Sequence, residues 1–358
     1  MNKIRSLTQK QLFLPIFCVF LVLCSNIIYD IAQGNAFYNF FSISIKNGVL
    51  YGRIIDILNR GSEVAILAIG MTLVVSSSAG TDISVGSVMS LAGGVCCVLL
   101  AGFGNVNVNE YAIPLWLGVV AGILVACLCG AFNGFLVAGL KIQPMVATLI
   151  LYSAGRAIGL LLCNSNIVYI NVESFKFFGG YCWIFPTPIL ITVLCIVVTA
   201  LVLKFTALGT YVQAVGINKE AARISGYKSA AIIFICYVVC GLFAGIAGIT
   251  ATSRIYSADT NNIGLNLEMD AILAVALGGN SLGGGKFRLS GSIIGAYTIQ
   301  AITTTLYALG VSSAQAPVFK AIIVILIVTI QSPAVKAYFA KRAAVKNAMM
   351  NAGREAQA

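Results

Sequence analysis

Long apolar runs decide what this chain can fold into. Stretches of about 20 residues with few charges recur along its 358 residues, and each is long enough to cross the hydrocarbon layer of a bilayer as a helix. Hydrophobic residues make up 59% of the chain and charged residues 9%, against roughly 25% charged in an average soluble domain. A soluble fold of this length cannot hide so much apolar surface. The pattern therefore predicts an all-α, polytopic membrane protein.

Spanning segments are expected near 12–30, 61–79, 84–104, 113–139, 144–163, 187–205, 229–251, 269–280, 288–310 and 317–335. The stretch at 269–280 is too short to cross alone and reads as a broken or re-entrant helix. About ten segments then form one transmembrane domain over 1–358, in two pseudo-related halves around a 205–228 loop, with a basic tail at 336–358. No small-residue cleavage site follows Met1–Lys10, so the first apolar run reads as an uncleaved span.

A net charge of +11 would suggest a nucleic-acid partner in a soluble protein. Here the placement of charge matters more. With the N-terminus inside, Lys3, Arg5, Lys10, Lys141, Lys204, Lys219, Arg223, Lys228, Lys286, Arg288 and the basic tail all fall on the cytoplasmic side. Asp30, Asp56, Glu63, Glu110, Glu173, Asp259, Glu268 and Asp270 fall outside. That asymmetry predicts both termini in the cytoplasm. A basic outer loop holding Lys46, Arg53 and Arg60 argues the other way.

Catalysis and metal binding find little support. The chain has no histidine, and most of its eleven cysteines lie in or at the ends of apolar spans, where they act as small hydrophobes. Cys163 and Cys182 bracket one outer loop, and the sequence leaves their pairing open. The glycine-rich run ending at Lys286 fails the phosphate-loop pattern twice: Asn280 stands where the first glycine belongs, and Phe287 replaces the Ser or Thr. No nucleotide site or cofactor is expected in this chain.

Three features invite a functional reading. Residues Ile217 to Tyr227 read INKEAARISGY, a charged helix-forming stretch between two spans. Its spacing suits a short helix that ends at a glycine and docks into another protein, or an ordinary solvated loop. Two polar, glycine-containing interruptions, Ser76–Gly86 and Gly278–Gly285, break apolar runs in each half, which points to a translocation site or to plain connecting loops. Asp82 and Ser84 are placed to cap the span starting near Val85. Asn133, Thr148 and Asn280, together with Asp82 and Ser84, are candidates to line a polar path or to glue helices. Arg156 stands inside an apolar span, which makes it a functional candidate, but a structural role, by pairing with an outer acid or snorkelling, comes first; Asp259, Asn261 and Asn262 form a polar outer-loop cluster.

Four segments carry a resemblance. GMTLVVSSSAGTDISVGSVMSLAGG, KIQPMVATLIL (Lys141–Leu151), TALGTYVQAVGINKEAARISGY and LEMDAILAVALGGNSLGGGKFRLSGSIIGA together resemble the ribose-type permeases of bacterial ATP-binding-cassette sugar importers, from about Ile54 to Ser332. Tyr51-Gly52-Arg53, Ile57–Arg60, Lys204–Asn218 and Ala258–Asn262 followed by Gly264 resemble the galactofuranose branch. The resemblance implies a multi-pass subunit of the bacterial inner membrane that translocates a galactofuranose-like or ribose-like sugar. It implies a second permease subunit, identical or homologous, ABC ATPase subunits that bind the ATP and Mg, and an extracytoplasmic sugar-binding protein. It assigns ATPase coupling to Asn218, Glu220, Ala221, Ala222, Arg223 and Gly226. The family usually has Thr-Gly-Gly-Ile before the aspartate; here Ser78, Ala79, Gly80 and Thr81 precede it, and Ala79 stiffens a bend. The competing readings are an ion-coupled secondary sugar transporter, which would need ion-coupling carboxylates or a cation site inside the membrane, and a scaffold that moves no solute.

Overall fold

The computed structural model describes residues 13–32, 34, 39–46 and 48–331. The Met1–Lys10 segment and the 336–358 tail lie outside the described residues. The chain divides into two compact units, Met1–Thr304 and Thr305–Ala358.

In the first unit α1 (Phe13–Ala32) leads through a small hairpin, β1 (Ser44–Lys46) and β2 (Val49–Tyr51), into α2 (Arg53–Ser78). Then come α3 (Val85–Ala101), α4 (Leu115–Gly134, continued by a π-helical turn to Gly139), α5 (Pro144–Leu162) and α6 (Thr187–Phe205). Two short helices, α7 (Leu208–Ile217) and α8 (Lys219–Ile224), precede α9 (Ser229–Ile255), α10 (Leu267–Leu277) and α11 (Leu289–Ala308). Among the described residues five helices, at 53–78, 115–139, 144–162, 187–205 and 229–255, are long and apolar enough to cross a membrane. In the second unit, α11 ends with Gly310 donating to the Tyr307 carbonyl and Val311 to that of Leu306, and α12 (Ala316–Gln331) follows.

Helices α2 and α9 form the core. The most apolar stretch of α2 is 89% buried and that of α9 67%, while the corresponding stretches of α4, α5 and α6 are only 22–28% buried and present Leu, Ile and Val outward. Lipid tails are as apolar as leucine, so helices in a bilayer associate where small side chains allow close approach. Gly130 of α4 meets the carbonyl of Tyr237 on α9, Gly241 of α9 meets that of Ala126, and Gly248 meets that of Met89 on α3. A β-carbon at any of these would sit 2.3–2.4 Å from the facing oxygen.

The strands cap one end of this unit. β4 (Val168–Ile170) runs parallel to β3 (Asn107–Val108) and antiparallel to β7 (Ser257–Ala258), tying together the loops after α3, α5 and α9. β5 (Tyr181–Cys182) pairs with β6 (Phe185–Pro186) ahead of α6. Cys163 and Cys182 are both free thiols.

Arg53 and Arg60, expected in a basic outer loop, do not lie in one; α2 begins eight residues earlier than the apolar run and carries them both. The charge is absorbed by pairing: Arg53 meets the buried carboxylate of Asp30 at 2.9 Å, joining α1 to α2.

Candidate functional site

The 205–228 segment folds into an arm of two short helices, α7 and α8. The Asn218 side chain caps α8, its Oδ1 accepting from the amides of Glu220 (3.1 Å) and Ala221 (3.0 Å). At the other end Tyr227 donates to the Ala222 carbonyl and Gly226 takes φ +88°, a glycine-terminated stop. Ala222 is the buried residue of α8; Glu220, Ala221 and Arg223 are exposed, and the Glu220–Arg223 pair at 3.0 Å is so open to solvent that it adds little stability. Ile217 and Ile224 are 65% and 84% exposed. A capped six-residue helix that ends on a bare isoleucine, with a second one just before its cap, has the form of a contact element.

The α2–α3 interruption turns on Ala79, held at φ 53°, ψ 32° in the left-handed region. Neither Asp82 nor Ser84 caps α3 with its side chain, contrary to expectation. Instead Asp82 Oδ1 accepts from the Ser84 amide (2.9 Å) and hydroxyl (2.6 Å), folding the break onto itself. Asn133 Nδ2 donates to Ser84 Oγ at 2.8 Å and approaches Asp82 Oδ2 at 3.5 Å, and Thr148 Oγ1 accepts from the Ile83 amide at 3.2 Å. Asp82, Ser84 and Asn133 therefore do meet, while Thr148 holds the Ile83 amide between the first two, so that α4 and α5 clamp the break. The space among Asp82, Ser84, Asn133 and Gly241 admits no water molecule, so this node is shut.

Asn280 belongs elsewhere. Its Oδ1 accepts from the Arg288 amide (2.7 Å), while Nδ2 donates to Ser292 Oγ (2.7 Å) and to the Arg288 carbonyl (3.2 Å). The Ser292 hydroxyl in turn meets Thr72 Oγ1 on α2 at 2.6 Å. Asn280 thus clasps the glycine-rich loop between α10 and α11.

Sequence reasoning missed what joins these parts. The Gly285 amide donates to the Ser76 carbonyl at 3.0 Å, and Gly216, at the end of α7, lies against both: a β-carbon there would fall 1.7 Å from Ser76 O and 2.6 Å from Gly285 N. The arm, the first break and the second loop touch backbone to backbone. Arg156 has a structural part here. Among the described residues it makes no ion pair; Nη1 donates to the carbonyls of Thr260 (2.8 Å), Asn261 (2.7 Å) and Ile263 (3.1 Å), bracing the loop that leads into α10. The only hint in sequence was an arginine in an apolar run. Among the described residues no group of His, Cys, Asp or Glu is arranged to hold a metal ion.

Residues 53–330 match the model of the family described as branched-chain amino acid transport system / permease component. The chain is 43% identical over 295 residues to the galactofuranose transporter permease protein YtfT of Escherichia coli (strain K12), covering 82% of this chain and 84% of that one. It is 35% identical over 339 residues to the fructose import permease protein FruF of Bifidobacterium longum (strain NCC 2705), covering 93% and 90%. Similarity to the ribose import permease protein RbsC of Escherichia coli (strain K12) is 35% over 299 residues, covering 82% and 87%. No solved structure matches the chain significantly.

Proposed function

We propose a sugar-import role from one premise: the chain belongs to the branched-chain amino acid transport system / permease component family. It is a multi-pass membrane protein and a transport component rather than an enzyme. We assign it as the membrane-spanning subunit of an ATP-binding-cassette importer for a simple sugar, of the galactofuranose or ribose kind that its relatives' names record.

About ten segments, in two related halves, place both termini and the α7–α8 arm in the cytoplasm and the strand-capped end outside. Asn218, Glu220, Ala221, Ala222, Arg223 and Gly226 shape the face that docks on an ABC ATPase. A second permease completes the pore, and a binding protein delivers sugar from outside. ATP and Mg belong to the ATPase. Asp82, Ser84, Asn133 and Thr148 form a gate that opens when the arm moves, while Asn280 sets the loop beside it.

The observation that carries this reading is the contact of Gly216 with Ser76 and Gly285. Because no side chain cushions it, movement of the arm must displace both helix interruptions together. The test is uptake of labelled sugar in cells carrying the whole importer. Gly226→Pro or Glu220→Lys is expected to abolish uptake and ATPase co-purification while leaving the protein inserted. Normal uptake and ATPase recovery in both variants would sink the docking assignment. Uptake that survives an inactive ATPase and collapses with an ionophore would identify an ion-coupled carrier instead.

A further inference from the structure

A cavity of about 390 Å³ opens at the strand-capped end of the first unit. Its walls come from α2 (Arg60, Glu63), the end of α9 (Arg254) and the loop ahead of α10 (Asp259, Asn262), over an apolar floor that includes Met89. Pockets that bury small ligands begin at roughly 300 Å³.

Its chemistry is unusual for a membrane helix bundle. Two cations, Arg60 and Arg254, face two anions, Glu63 and Asp259, so the wall has no net charge to select a charged solute. Yet its polar groups are left with capacity. Glu63 Oε1 is ion-paired with Arg254 Nη2 at 3.1 Å, and Nη2 donates its hydrogen bond to the Asn59 carbonyl at 3.0 Å. Glu63 Oε1 and Arg254 Nε, both buried, thus have no hydrogen-bond partner. Buried polar atoms in native proteins are nearly always bonded, and leaving one unbonded costs about 1–3 kcal/mol. An acceptor and a donor in one wall suit a hydroxyl group, which both donates and accepts, once a shift of the two side chains bares these atoms to the cavity.

The wall is also preformed. Asp259 accepts from the amides of Asn261 (3.2 Å) and Asn262 (3.3 Å) and from Asn262 Nδ2 (2.7 Å), while Arg156 grips the carbonyls of residues 260, 261 and 263 from behind. On α9 the shut node at Gly241 and Ala244 lies ten residues before Ala251 and Arg254, about 15 Å along the helix axis. The cavity and the gate are therefore two stations on the same helix.

We propose that this cavity is a receiving site for a neutral polyhydroxylated solute of monosaccharide size, with Glu63 and Arg254 bonding vicinal hydroxyls, Asn262 at the mouth and Met89 against the carbon face. The proposal rests on the sugar-importer reading and adds a selective site within the permease itself.

The test uses the complete importer in cells, with labelled D-ribose, D-fructose, L-arabinose and D-galactose as probes. Initial uptake rates are compared for the parent, Glu63→Gln, Arg254→Gln and the milder loop variant Asn262→Ala. A Leu265→Cys variant, which puts a thiol at the exposed lip, is labelled with a membrane-impermeant maleimide with and without each sugar. Expected are a change of about tenfold or more in the ratio of rates between sugars for Glu63→Gln or Arg254→Gln, a smaller change for Asn262→Ala, and slower labelling of the Leu265→Cys variant in the transported sugar. If sugars enter but every variant lowers all rates by one common factor, or none, and labelling is indifferent to sugar, the receiving site is refuted and the importer reading stands. If the parent takes up none of the four in an ATPase-dependent way, the importer reading falls and the site falls with it.

Discussion

Replacing Gly216 with alanine adds one methyl group where the structure has no space for it. The new carbon would stand 1.7 Å from the Ser76 carbonyl and 2.6 Å from the Gly285 amide. Both neighbours are backbone and cannot swing aside. The bond between them, 3.0 Å in the structure, must open or the arm must move away. Overpacking costs typically 1–3 kcal/mol and the lost bond about 1 kcal/mol, set against up to about 1 kcal/mol gained from alanine in a helix. The net expectation is a loss of about 1–3 kcal/mol, or several degrees of melting temperature in detergent.

Gly209, on the same short helix, is the control. A β-carbon there meets its nearest neighbour at 3.4 Å, an ordinary contact, so Gly209→Ala should be neutral or slightly stabilising. The assay pairs thermal unfolding with ATPase-dependent sugar uptake. Gly216→Ala should lower the melting temperature and uncouple uptake from ATP hydrolysis; Gly209→Ala should do neither. Equal behaviour of the two variants would refute the claim that the arm drives both interruptions through this contact.

Arg156→Gln removes up to three charge-assisted bonds to loop carbonyls and should cost about 3 kcal/mol, read as a lower melting temperature and faster proteolysis within 259–266. Arg156→Lys, with a single ammonium in place of the guanidinium fork, should restore only part of this. Ala79→Gly relieves a left-handed alanine and should stabilise the chain by about 0.5–1 kcal/mol, measured by the same melting curve. An unchanged or lower melting temperature would show that Ala79 is not strained.

The helices were legible where apolar periodicity and length suffice. The expected span at 187–205 coincides with α6, and 144–163 and 113–139 end within two residues of α5 and α4. α2 was cut short because Arg53, Asp56 and Arg60 look like loop; the pairing of Arg53 with Asp30 from α1, like that of Glu63 with Arg254 from α9, is a tertiary contact that no local pattern announces. The cap at Asn218 and the glycine stop at Gly226 are local rules and could be read directly. Asp82, Ser84, Asn133 and Thr148 were picked as separate polar residues, and their meeting rests on separations of 49 and 65 positions that no local rule reaches. Gly216 was invisible among 36 glycines, since its importance lies wholly in the backbone it faces.

The grip of Arg156 on three carbonyls has a consequence for the loop's shape. One guanidinium nitrogen reaches residues 260, 261 and 263, so their carbonyls must converge on a single point and the chain between them must curl around it. The roof of the cavity therefore hangs from one atom rather than from several separate fastenings.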